Sequence, residues 1–106
     1  MQAFEVPGMG PVAFVDRVRK ELSGRELGEI VTLELDGDEL VVRFSRMGTS
    51  ELRYALDVAD GGFSARLTDE RIALLHGAFR QTFEEKFDQI IAHVGARSQQ
   101  SGESVR

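Results

Sequence analysis

The chain has no cysteine and no tryptophan, and only two histidines, two prolines and one tyrosine among 106 residues. Without cysteine there are no disulfides, no thiol chemistry, no zinc finger and no iron–sulfur cluster. The uncharged apolar run of ~18 residues that a membrane span needs is also missing. Met1 to Gly10 carries Glu5 ahead of Pro7 and has neither a basic region nor an apolar core, so no secretory signal and a cytoplasmic address are expected. No catalytic signature is intact. Gly62-Phe63-Ser64 begins like a nucleophile elbow but continues Ala65-Arg66, and both histidines, His76 and His93, fall in one predicted helix. These gaps argue against an enzyme and give no reason to expect a metal or cofactor.

What is present suits one folded domain. The composition is 42% apolar and 29% charged, with a net charge of −5. The acidity is concentrated in Arg25 to Glu39, which holds six acids and one base, whereas Leu40 to Leu67 holds four arginines and three acids. A nucleic-acid binder normally shows a basic excess on one face, so nucleic acid is disfavoured as a partner.

Hydrophobic periodicity supplies the architecture. Phe14, Val15, Val18 and Leu22 make one side of a helix that Pro11 can open and Ser23-Gly24 can end. Phe4 and Val6 flank Glu5 in a short edge strand or arm. Four alternating runs follow, with Leu33, Val42, Tyr54 and Ala65 on the apolar side and Thr32, Arg43, Arg53 and Arg66 on the other. Two-residue turns at Gly37-Asp38 and Asp60-Gly61 pair Leu33 with Val42 and Leu56 with Ala65. A loop at Met47-Gly48-Thr49 would place Phe44 opposite Leu52. Thr68 is read as the N-cap of a long last helix whose stripe is Ile72, Leu75, Phe79, Phe83, Phe87, Ile90 and Val94, ended by Gly95. The expected fold is α+β: a four-stranded antiparallel meander with N- and C-terminal helices packed on one face, in a single domain over 1–95. Residues 96–106, without periodicity, are expected to be a disordered tail.

Few side chains then remain for function. Gly8-Met9-Gly10-Pro11-Val12-Ala13 matches a dinucleotide-binding pattern, but hairpins in place of parallel βαβ units make it a plain helix entry. Glu84 and Asp88 read as solvated helix surface. Arg43 and Arg53 are expected directly opposite each other on the open sheet face, with Arg66 further along. Either diagonal pairing with Glu34, Glu51 and Asp57 neutralises them, or they form an anion or acidic-partner site with Ser45 and Ser64. Tyr54 and His76 are the polar handles of a candidate small apolar-ligand pocket between the last helix and the sheet. Ile30, Val41, Leu74 and Met47 are expected as exposed apolar residues. With an uncapped edge strand they point to docking of a protein partner or to homodimerisation. The leading expectation is a noncatalytic binding or assembly module acting through the open sheet face.

The opening Phe4-Glu5-Val6-Pro7, the helix after it, the strand pair around Met47-Gly48, and a last helix carrying Ala78-Phe79-Arg80 and Phe83-Glu84-Glu85-Lys86 resemble the small bacterial polyhydroxyalkanoate granule-associated protein family. The resemblance spans most of the chain as element order and scattered residues. It implies a noncatalytic accessory protein near storage granules, with no catalytic residues to carry over.

Overall fold

The computed structural model describes residues 2–45, 48–72 and 80–98. The fold is α+β, with the elements β1 (Ala3–Pro7), α1 (Pro11–Leu22), a 3₁₀ turn (Glu26–Glu29), β2 (Val31–Asp36), β3 (Glu39–Ser45), β4 (Thr49–Ala59), β5 (Gly62–Arg71), α2 (Arg80–Val94) and β6 (Arg97–Ser98). All strands join one antiparallel sheet in the order β2-β3-β4-β5-β1-β6.

Helix α1 starts where Pro11 needs no intrahelical N–H, and it ends with the Ser23 amide donating to the Arg19 and Lys20 carbonyls. Its buried residues are Phe14, Val15, Val18 and Leu22, the stripe read from the sequence. Both hairpins with two-residue turns have the expected register: Val31 pairs with Phe44, Leu33 with Val42, Leu56 with Ala65 and Val58 with Phe63. A single apolar core lies between this face and the helices. Phe4 is at its centre, 5.8 Å from Phe14 and edge-on to Tyr54 at 5.4 Å, and Phe44 meets Phe87 of α2 at 6.3 Å. No helix among the described residues is long and apolar enough to cross a membrane.

Six expectations are corrected. The sheet has six strands, because β1 is an interior strand between β5 and β6 rather than an edge or arm. Between β3 and β4, Phe44 pairs with Ser50 and Val42 with Leu52, two residues from the expected register. A two-residue slip leaves every side chain on its own face, so apolar alternation cannot tell the two registers apart. Thr68 does not cap a helix. It is the extra residue of a β-bulge between the pairs Tyr54–Leu67 and Arg53–Asp69, with its hydroxyl donating to the Arg53 carbonyl at 3.3 Å, and β5 runs on to Arg71. Ile72 packs half-buried against the core just past that strand. Ala96 is buried, and Arg97 and Ser98 pair with Glu5 and Phe4, so the folded chain continues beyond the expected boundary at 95. On α2, Ile91 is fully buried although the predicted stripe omitted it, while Glu84 and Asp88 are half-buried rather than fully solvated. Burial raises the Asp88 carboxyl above its ordinary value.

Phe4 is the ring that joins helix, sheet and α1 aromatics, so its removal leaves a cavity that neighbouring strands cannot close. Phe4→Ala is expected to cost about 3–5 kcal/mol, read from urea unfolding. A loss below ~1 kcal/mol would contradict the packing described.

Candidate functional site

With both helices on the apolar face, the other face of the sheet carries no layer among the described residues. Register brings its side chains into cross-strand rows: Thr32, Arg43, Glu51 and Arg71; Glu34, Val41, Arg53 and Asp69; Asp36, Glu39, Ala55, Arg66 and Ala3; and Asp57, Ser64, Glu5 and Arg97. Arg43 therefore faces Glu51, and Arg53 faces Val41. The two arginines share a face but are not directly opposite, as the expected register would have had them.

The Glu51 carboxylate lies between them and binds both. One oxygen accepts from Arg43 Nε at 3.0 Å, the other from Arg53 Nε at 2.7 Å. Arg43 reaches Glu34 with its Nη1, and Arg53 Nη1 donates to Glu39 at 2.8 Å and lies 3.6 Å from Asp36. Two guanidiniums thus serve four carboxylates. Asp57, an expected partner, takes no part. Charge-assisted bonds to Arg53, and next to Arg43, hold the Glu51 carboxyl below its ordinary value of 4.5. Glu34 and Glu51 raise the Arg43 guanidinium, and Glu51 and Glu39 raise that of Arg53.

Beneath this lattice is Val41, expected as an exposed residue and in fact 1% exposed. Its cross-strand neighbours are Glu34 and Arg53. Ile30 is half-buried against the core, whereas Leu74 and Met47 lie outside the described residues. Among the described residues, the exposed large apolar ones are instead Val12 and Val58, 74% and 63% exposed.

The remaining site residues are spread apart. Arg66 is exposed opposite Ala55 and Ala3 and makes no ion pair among the described residues; Ser64 is half-buried on the same face, and Ser45 ends β3 at the far corner. Tyr54 is fully buried in the aromatic core. His76, its intended companion, lies outside the described residues. His93 is exposed near the end of α2, with Nε2 3.8 Å from a Glu21 carboxylate oxygen.

An open cleft of about 510 Å³ runs between the end of α1, the 3₁₀ turn and the outer edge of β2. In it Arg19 Nη2 donates to the Leu33 carbonyl at 2.6 Å, and Leu33 is itself buried. The arginine occupies a strand-edge acceptor that another chain would otherwise use. Set against protein-family models, curated proteins and solved structures, the chain matches none.

The shared carboxylate makes stability acid-sensitive. Because the folded-state value of Glu51 lies below 4.5, its contribution is present above that pH and is lost as pH falls through the depressed value. Glu51→Gln is expected to melt at a lower temperature than the wild type at pH 7, with the gap narrowing as pH falls well below 4.5. Equal melting temperatures at pH 7 would contradict a stabilising role for the lattice.

Proposed function

We propose that this protein is a noncatalytic protein-binding or assembly module whose working surface is the open face of the sheet. The observation that carries this reading is the asymmetry of the sheet. Six strands are roofed on one side by both helices, and the other side presents ordered charge, with the small residues Ala55, Ala3 and Ser64 set around Arg66. Rigid strands hold these groups in fixed rows, which favours specific recognition because little side-chain freedom is lost on docking. The internally paired Arg43 and Arg53 suit a surface that meets another protein better than one that captures a lone anion. The likeness to granule-associated proteins belongs to the same reading, as an accessory role without chemistry of its own.

Ala55 is at the middle of the face and is half-buried. Ala55→Arg places a long charged side chain there without touching the core. Immobilised wild-type chain is expected to retain a defined protein partner that the Ala55→Arg chain loses, with the melting temperature of the variant nearly unchanged. Equal retention by both chains would place binding elsewhere and overturn the proposal.

A further inference from the structure

The open face is unevenly charged. On β2 and β3 it carries Glu34, Asp36 and Glu39 against Arg43. On β5, β1 and β6 it carries Arg66, Arg71 and Arg97 against Asp69 and Glu5. Arg66 and Arg97 are exposed and make no ion pair among the described residues; Arg71 reaches Asp69 only at 3.9 Å.

The midline of the six-strand order falls between β4 and β5. Across that line this face pairs Glu51 with Arg71, Arg53 with Asp69, Ala55 with Arg66, and Asp57 with Ser64. The first two are unlike charges, the third sets a long side chain beside a small one, and the fourth sets a carboxylate beside a hydroxyl. Consider two copies laid face to face about a two-fold axis parallel to the strands along this line. The axis carries β5 of one copy over β4 of the other, so the complementary pairs within the chain are repeated between the copies. It also lays the acidic β2 side of each copy over the arginine-bearing β6 side of its partner. A two-fold axis across the strands would instead stack acid on acid.

We propose that the occupant of the open face is a second copy of this chain, packed sheet to sheet about a two-fold axis parallel to β4 and β5. The proposal rests on the reading of the open face as the binding surface and names its partner. Six strands spaced ~4.8 Å apart and about six residues tall give a footprint of roughly 500 Å², less than the ~800 Å² per partner of a standard interface. The dimer is therefore weak and reversible, and salt screens it. Sheet twist turns aligned faces about 30° apart, which leaves the contacts nearest the axis in closest register. There Arg66 of one copy lies over Ala55 of the other, beside Asp57, the next residue of β4 on this face.

The test is sedimentation equilibrium over a wide concentration range at low and high salt, on the wild type, Arg66→Glu, Asp57→Arg and the double variant. Both residues are exposed and outside the ion-pair lattice, so melting curves should show all four chains folded. The wild type is expected to dimerise. Each single reversal and high salt should weaken the dimer about tenfold or more, and the double reversal should restore it, as a close charge pair requires. A wild type that stays monomeric at the highest concentration overturns the proposal, as does a dimer indifferent to Arg66→Glu. A monomer that still holds a different protein through Ala55 would overturn this proposal alone and leave the open-face reading in place. A dimer indifferent to Ala55→Arg as well, with no Ala55-dependent partner, would remove both.

Discussion

Side chains on a β-strand alternate between faces, so the direction of one residue commits all the others. Here Leu33, Val42, Tyr54, Ala65 and Phe4 all turn to one side, and paired strands keep them there. Burial of that single apolar surface is what the helices accomplish, since only contact with another apolar layer removes it from water. Helix α1 brings Phe14 against Phe4 and Phe63, and α2 brings Phe87 against Phe44. Once both helices are engaged there, the opposite face is left with charged rows and small residues.

That second face is ordered although no described element covers it. Each exposed ion pair by itself adds little to stability, because water and salt screen it. Val41 lies on this face as well and is buried all the same, and burial of a valine contributes roughly 1.5–3 kcal/mol. The same pairs hold two arginines in place beside each other with their charge compensated. The β2 edge is treated similarly, with Arg19 bound to the Leu33 carbonyl and acidic residues along the outer strand. Edge-to-edge pairing along β2 is thereby discouraged.

The architecture was legible where apolar alternation and turn chemistry agreed. Gly37-Asp38 and Asp60-Gly61 each fix a two-residue turn, and a one-residue error in either hairpin would have reversed its faces. Between β3 and β4 the sequence carries no such turn signal, and the shift by two residues preserved parity, so Phe44 met Ser50 instead of Leu52. That shift also determines the ion pairs: Glu51 falls opposite Arg43, while Glu39 and Asp36 come within reach of Arg53, partners no spacing along the chain reveals. Thr68 misled for a different reason. A threonine before two acids suits a helix cap, but its hydroxyl is bonded to the Arg53 carbonyl within a bulge. The burial of Val41 was not legible because strand alternation puts it on the polar face, beside Glu34 and Arg53.

The division of the sheet into a roofed face and a bare one can be measured directly, because the chain has no cysteine of its own. Single cysteines at Thr32 and Leu33, and at Arg66 and Ala65, place thiols on adjacent residues that point to opposite faces. In dilute native protein, a water-soluble thiol reagent should label positions 32 and 66 rapidly, while 33 and 65 react only as the protein unfolds. Comparable native rates within either adjacent pair would contradict the account.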